Sequence, residues 1–421
     1  MAANLLNPNQ KNNTMPTPPV TNRFSRSRFC LFLTGGFVLF ILINLFTFHT
    51  NQTVYLEKYH FNLARKRSIM AQNLSNAISQ VQNQLTDISA TLGLDHLDQG
   101  FERARQAADT FHTELTNLHH LLNKRPPGQE VPLDPATLQS QFDQFYAQGI
   151  DMANAYIQNG TLRGNQKMKQ FDKQADDLRE MLGEWNSSQT KLADHWQKQI
   201  DKHADAFVVP SGLSNTLWLQ LMGSETRTHY VQFITHWIQS ASLDEQHLHL
   251  GLMAQELHGA VIQVQQWLTD LSATRGQDGL DEGLEQANKN AQRFQDLLPN
   301  FLLAVQQNGN PEWIQSITGL DDRFKIFHAK GRAMAEAYIQ GGAKLGNPLM
   351  LEFDTMADSL GKELLPLIIP STKAANSENF QMDIVYDSLQ QIRKVLFFLF
   401  FLSLLAFFGC IAWLISCKPR Q

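Results

Sequence analysis

Cysteine is scarce in this chain and confined to its ends: the three residues, Cys30, Cys410 and Cys417, lie in or beside apolar terminal stretches. A disulfide framework and a Cys-based metal site are thereby excluded from the interior, and a cysteine-free interior suits an oxidising compartment. Excess basic charge is also missing. With 40 acidic against 35 basic residues, a formal charge of -5 and the Lys and Arg scattered through helical patterns, there is no surface for wrapping nucleic acid. Strand-like alternation of useful length does not occur. Neither a nucleophile elbow nor a phosphate loop is present, so no enzyme and no cofactor is expected.

What is there begins with two uncharged runs, 20 residues from Phe29 to Phe48 and 23 from Val395 to Cys417. Each is long enough to cross ~30 Å of hydrocarbon as a helix. The first is too long for a signal-peptide core and leaves through Phe46-Thr47-Phe48-His49-Thr50, which lacks a small-x-small cleavage pattern, so it reads as an uncleaved anchor. Arg23, Arg26 and Arg28 cluster close before it and favour a cytoplasmic N-terminus. The expectation is a two-pass protein of a bacterial inner membrane, both termini cytoplasmic and the large domain periplasmic. Residues 1–28, rich in Asn, Pro and Thr over the first 22, are expected to be a disordered cytoplasmic tail, and residues 418–421 a short cytoplasmic tail.

Between the runs one unit is written twice. Met70 to Thr91 returns as Met253 to Thr274 with 14 of 22 positions identical. Gly149-x-x-Met152-Ala153-x-Ala155-Tyr156-Ile157-Gln158-x-Gly160 with Gly164-Asn165 returns as Gly331 to Gly342 with Gly346-Asn347. The offset is 183 in the first block and 182 in the second, so the unit was duplicated whole. Met70, Leu74, Ala77, Val81, Leu85, Ile88 and Leu92 step by four and three, the seam of a helix packed in a bundle. Similar seams run through Phe101 to Leu122, Phe142 to Tyr156 and Phe171 to Leu182. Breaks fall at Gly93 to Asp98, Arg125 to Pro135 and Gly160 to Asn165.

The fold class expected is therefore all-α: two tandem up-down-up-down four-helix bundles between two transmembrane helices. The bundles span 49–206 and 232–394, joined by a linker over 207–231 in which Phe207-Val208-Val209-Pro210-Ser211-Gly212 breaks the helical pattern. Helix one should cover about 50–92 and helix four about 166–206. Side by side, the two bundles would make the chain its own pseudo-dimer; end-to-end stacking is the alternative.

At the repeated blocks the sequence resembles the extracytoplasmic sensing regions of methyl-accepting chemotaxis proteins. The resemblance rests on Leu268-Thr269-Asp270-Leu271-Ser272-Ala273-Thr274-Arg275-Gly276 with Gly279-Leu280-Asp281-x-Gly283, and on Met334-Ala335-x-Ala337-Tyr338-Ile339 with Gly346-Asn347 and Phe353-Asp354. It covers roughly 29–417. Those receptors continue into a signalling coiled coil, whereas this sequence has four residues after Cys417, and it carries two sensing units in place of one. The resemblance thus implies a sensor that works through a separate membrane or cytoplasmic signalling partner, with a homodimer among the partner options; the rival expectation is a structural scaffold.

In such a bundle the turns between helices one and two and between helices three and four lie at one end, so the best-matched blocks converge. In the first repeat that gathers Asp87, Ser89, Thr91, Tyr156 and Asn165; in the second, Asp270, Ser272, Thr274, Arg275, Tyr338 and Asn347. Small polar groups plus one Arg can hold a small organic acid, the guanidinium pairing with its carboxylate. The same residues can equally cap helices and satisfy turns. Arg275 corresponds to Leu92, which favours the second repeat for a carboxylate ligand. Histidines near acids, His247, His249 and His258 by Glu245 and Glu256 and His112, His119 and His120 by Glu114, do not recur as tight pairs in both repeats. They read as solvated helix surface, and no metal is expected.

Overall fold

The computed structural model describes residues 22–93, 97–123, 133–207, 224–277 and 282–376, and most of 394–412. Among them every regular element is an α-helix: α1 (Asn22–Thr91), α2 (Leu97–Asn123), α3 (Pro135–Asn159), α4 (Thr161–Phe207), α5 (Ser224–Thr274), α6 (Gly283–Asn308), α7 (Pro311–Ile317), α8 (Leu320–Gly341) and α9 (Ala343–Asn376). The chain divides into two compact units, one of residues 1–53, 206–220 and 381–421, the other of 54–205 and 221–380.

In the first unit the backbone of α1 is helical through the uncharged run 29–48. The side chains of that run and much of 395–417 lie outside the described residues, as do residues 1–21, the linker over 208–223 and the tail 418–421. Among the described residues no helix is long and apolar enough to cross a membrane.

The second unit holds both copies of the repeat. The seam read from the first block is its core: Met70, Leu74, Ala77, Val81, Leu85 and Ile88 are all buried. Against it lies a ladder of stacked rings. Phe111 stacks on Phe142 with centroids 3.6 Å apart, and Phe145 on Phe171 at 4.8 Å. The second repeat rebuilds it with Phe294 on Phe324 at 3.7 Å and Phe327 on Phe353 at 4.8 Å. Every one of these rings is fully buried, worth roughly 1.5–3 kcal/mol apiece in removed apolar surface. Gly149 and Gly331 let α3 and α8 approach so closely that a Cβ would strike Phe171 or Phe353.

Cap chemistry fixes the helix starts. Asp134 accepts the N–H groups of Ala136 and Thr137, both at 3.2 Å, with Pro135 in the first turn. Asn310 caps α7 in the same way ahead of Pro311. Some boundaries differ from those the pattern suggests. The helix taken to begin near residue 50 is continuous from Asn22, which draws 22–28 of the expected tail into α1. The break expected over Gly160 to Asn165 shrinks to Gly160: its φ of 75° turns the chain, and α4 resumes at Thr161. Gly164 and Gly346 lie inside helices, where they make room for the Tyr156 and Tyr338 rings. α5 begins at Ser224, inside the stretch read as linker, and α7 is a short helix whose matching positions in the first repeat lie mostly outside the described residues.

The two repeats meet along α1 and α5. Arg65 contacts His249, Gln255 donates to Asn73, Gln263 to Ser79, and Arg275 reaches the carbonyl of Ala90. Partners therefore stay 182 to 185 residues apart along the contact, so α1 and α5 run parallel and in register. The seam is polar: Ser79, Gln82, Thr86, Gln266 and Thr269 are buried within the unit. Parallel packing brings the Thr91 and Thr274 ends of the two helices together.

Candidate functional site

The eleven residues singled out in the sequence gather at that shared end, but not in the grouping the single repeats suggest. The hydroxyls turn inward. Ser89 donates to the carbonyl of Leu85 and Thr91 to that of Asp87, while Ser272 and Thr274 repeat this with Leu268 and Asp270. These side chains satisfy the last turns of α1 and α5, which is the capping alternative. Tyr156 donates to Asn165 Oδ1 and Tyr338 to Asn347 Oδ1, the latter at 2.7 Å, closing the turns into α4 and α9.

Arg275 has one end of its guanidinium engaged, while its buried Nη1 has no partner. Its Nη2 donates to Ala90 O at 3.0 Å, its guanidinium lies 4.8 Å from the Tyr338 ring centroid, and its own backbone sits at φ 60°. It ties the second repeat to the end of α1 across the seam.

The carboxylates pair crosswise between repeats. Asp270 of α5 has Asp172 of α4 as an electrostatic neighbour, with Asp176 and Glu282 nearby. Asp172 accepts from Gln82 at 2.7 Å, and Arg179 donates to both Gln82 and Asp176. Asp270 is buried and its Oδ1 has no partner. Burial, more than the neighbouring acids, pushes the Asp172 carboxyl up to about 7, and the same burial raises Asp270 well above the usual carboxylate range. Here Asn165 also bridges the repeats, its amide donating to Gln277 Oε1 at 2.6 Å.

The corresponding place on the other side of the seam is open. A cavity of about 490 Å³ is lined by Asp87 and Thr91 of α1, Arg103 of α2, and Lys344, Asn347, Asp354 and Asp358 of α9. Gln265 donates to Asp354 at 2.8 Å, the counterpart of Gln82 on Asp172, and burial pushes the Asp354 carboxyl up to about 6 although Arg103 draws it down. Gln84 lines this cavity; the buried Trp267 stands at its equivalent in the second repeat. Three of the expected site residues, Asp87, Thr91 and Asn347, thus share one chamber drawn from both repeats, while Asp270, Thr274 and Asn165 meet at the closed one.

Arg103, Lys344, Asp172, Asp354 and Asp358 were not among the expected site residues. The signal for two of them lay in the repeat: Gln82 and Asp172 return as Gln265 and Asp354 at the same offsets. The histidine reading needs one correction. His258 is half-buried, not a freely solvated surface group; a Cβ on Gly361 would stand 3.1 Å from its Nε2, and desolvation drops its pKa to about 4. The side chain of His247 lies outside the described residues. Among the described residues no group of three or more His, Cys, Asp or Glu is arranged to hold a metal ion.

Comparison with protein-family models, curated proteins and solved structures finds no match. The functional reading therefore rests on this chain's own residues.

Proposed function

We propose that this protein is a non-catalytic, membrane-anchored sensor of the chemoreceptor type, whose two repeats form tandem four-helix bundles between two transmembrane helices. The single observation that carries the reading is the interfacial chamber of about 490 Å³, in which residues of both repeats converge at the shared helix end. A ligand bound there touches α1, α2 and α9 at once, so it can bias the relative position of the repeats. In this reading the domain is periplasmic, both termini are cytoplasmic, and the shift passes along α1 into the run 29–48 as a small displacement read by a separate signalling partner.

Arg103 and Lys344 are the cations that line this chamber and can take a small organic acid, with Asp354 and Asp358 suited to a donor group on the same ligand. The second reading, a structural scaffold, draws on the polar α1–α5 seam and the tying role of Arg275, neither of which needs a ligand.

The two separate in a thermal-shift screen of the full chain in detergent against dicarboxylates and amino acids. A ligand of the folded state raises stability as RT ln(1 + [L]/Kd). The sensor reading expects a concentration-dependent rise that Arg103→Ala removes. If no compound moves the transition, or if Arg103→Ala leaves the rise intact, the chamber is not the sensing site.

A further inference from the structure

A second cavity lies farther along the same seam, away from the shared helix end. Its volume is about 640 Å³, and it is bounded by α1, α4, α5 and α6. No aliphatic or aromatic side chain lines it; the walls are serines, a threonine, amides, two glycines and charged groups. Lys191 and Arg293 stand exposed at its rim, while Arg179 is held by Gln82 and Asp176. Glu256 is the one carboxylate in the lining, and burial moves it toward its neutral form against the pull of Arg293.

Duplication supplies an internal control. The positions matching Ser79, Gly183, Asn186 and Ser187 are Ile262, Leu365, Ile368 and Ile369. On one side of the seam these positions are apolar, with Ile262 buried and Leu365 and Ile369 exposed, and on the other they are polar or glycine around an open space. Gly183 is the most telling of these. It sits inside α4 with ordinary helical geometry, yet a Cβ there would meet nothing within 4 Å. A mid-helix glycine costs stability, and neither a turn nor a crowded neighbour calls for one here. What it does provide is bare backbone facing the cavity, open to close approach by a bound molecule.

We propose that this cavity is a binding site for a small polyhydroxylated anion, such as a sugar acid or sugar phosphate. Lys191 and Arg293 take the anionic group, and the hydroxyls and amides of Ser75, Asn76, Ser187 and Gln263 take the ligand's hydroxyls. The site is independent of the distal chamber and would serve a scaffold as well as a sensor.

Calorimetric titration of the full chain in detergent with D-glucuronate, D-glucose 6-phosphate, D-glucose and inorganic phosphate tests it. At least one of the two anionic sugars should bind, and more tightly than glucose or phosphate alone. Whichever binds identifies the anionic group, carboxylate or phosphate. Lys191→Ala combined with Arg293→Ala should weaken it tenfold or more. Gly183→Leu, which installs the residue found at the matching position 365, should abolish binding while the melting temperature holds or rises. Arg103→Ala should leave binding unchanged. Silence from both anionic sugars, equally tight binding of glucose, or undiminished binding in Gly183→Leu would each overturn the proposal.

Discussion

Replacing Asp172 by asparagine should stabilise the folded chain above neutral pH and change little near pH 4. Its carboxyl ionises near 3.9 in an unfolded chain but is pushed up to about 7 in the fold by burial, with Asp270 facing it and Asp176 and Glu282 nearby. A raised folded-state pKa means that the native protein keeps a proton the unfolded chain has lost, so stability is full below about pH 4 and declines until pH passes about 7. Three pH units at 1.36 kcal/mol each give an upper figure of about 4 kcal/mol. Asparagine carries no charge, its oxygen can still accept from Gln82, and the change removes one of the acids neighbouring Asp270. The measurement is the urea midpoint of wild type and Asp172→Asn, full chain in detergent, at pH 4.5, 6 and 8. His258 contributes with the opposite sign, because a half-buried imidazole whose pKa desolvation lowers to about 4 makes stability rise with pH from there to about 6.5. That background is common to both proteins and cancels in their difference. The difference should grow with pH in favour of the variant. A flat difference, or a variant weaker than wild type at pH 8, would refute the buried-acid reasoning.

Arg275→Ala should cost about 1–2 kcal/mol, from the bond to Ala90 and the contact with Tyr338, with helicity unchanged by circular dichroism. Arg275→Gly should recover part of that loss because glycine accepts the φ of 60° without strain. Two glycine substitutions should have opposite signs in thermal melts: Gly164→Ala drives a methyl into the Tyr156 ring and should lose about 1–3 kcal/mol, whereas Gly183→Ala should gain up to about 1 kcal/mol. Equal signs would undo the distinction between a glycine needed for packing and one facing open space.

Helix content, the duplication and the core faces followed from the sequence because each is written in local periodicity. The step of four and three from Met70 to Ile88 places those residues on one side of any helix they form, and that side is buried. The candidate site was legible only in its composition. Asp87, Thr91, Asn347 and their counterparts were singled out because the two copies share them, yet each repeat was read as gathering its own set. The tertiary structure decided the partners, pairing α1 with α5 in parallel and handing Asp87 to a chamber completed by α9 of the other repeat. No spacing within one chain segment encodes a contact about 180 residues away. Arg275 shows the same limit: its charge suggested a ligand fork, and only the neighbouring Ala90 carbonyl and Tyr338 ring reveal a tie between repeats. The partial desolvation of His258 likewise comes from packing near Gly361 of another helix, since solvation is a property of the packed assembly and not of the residue type.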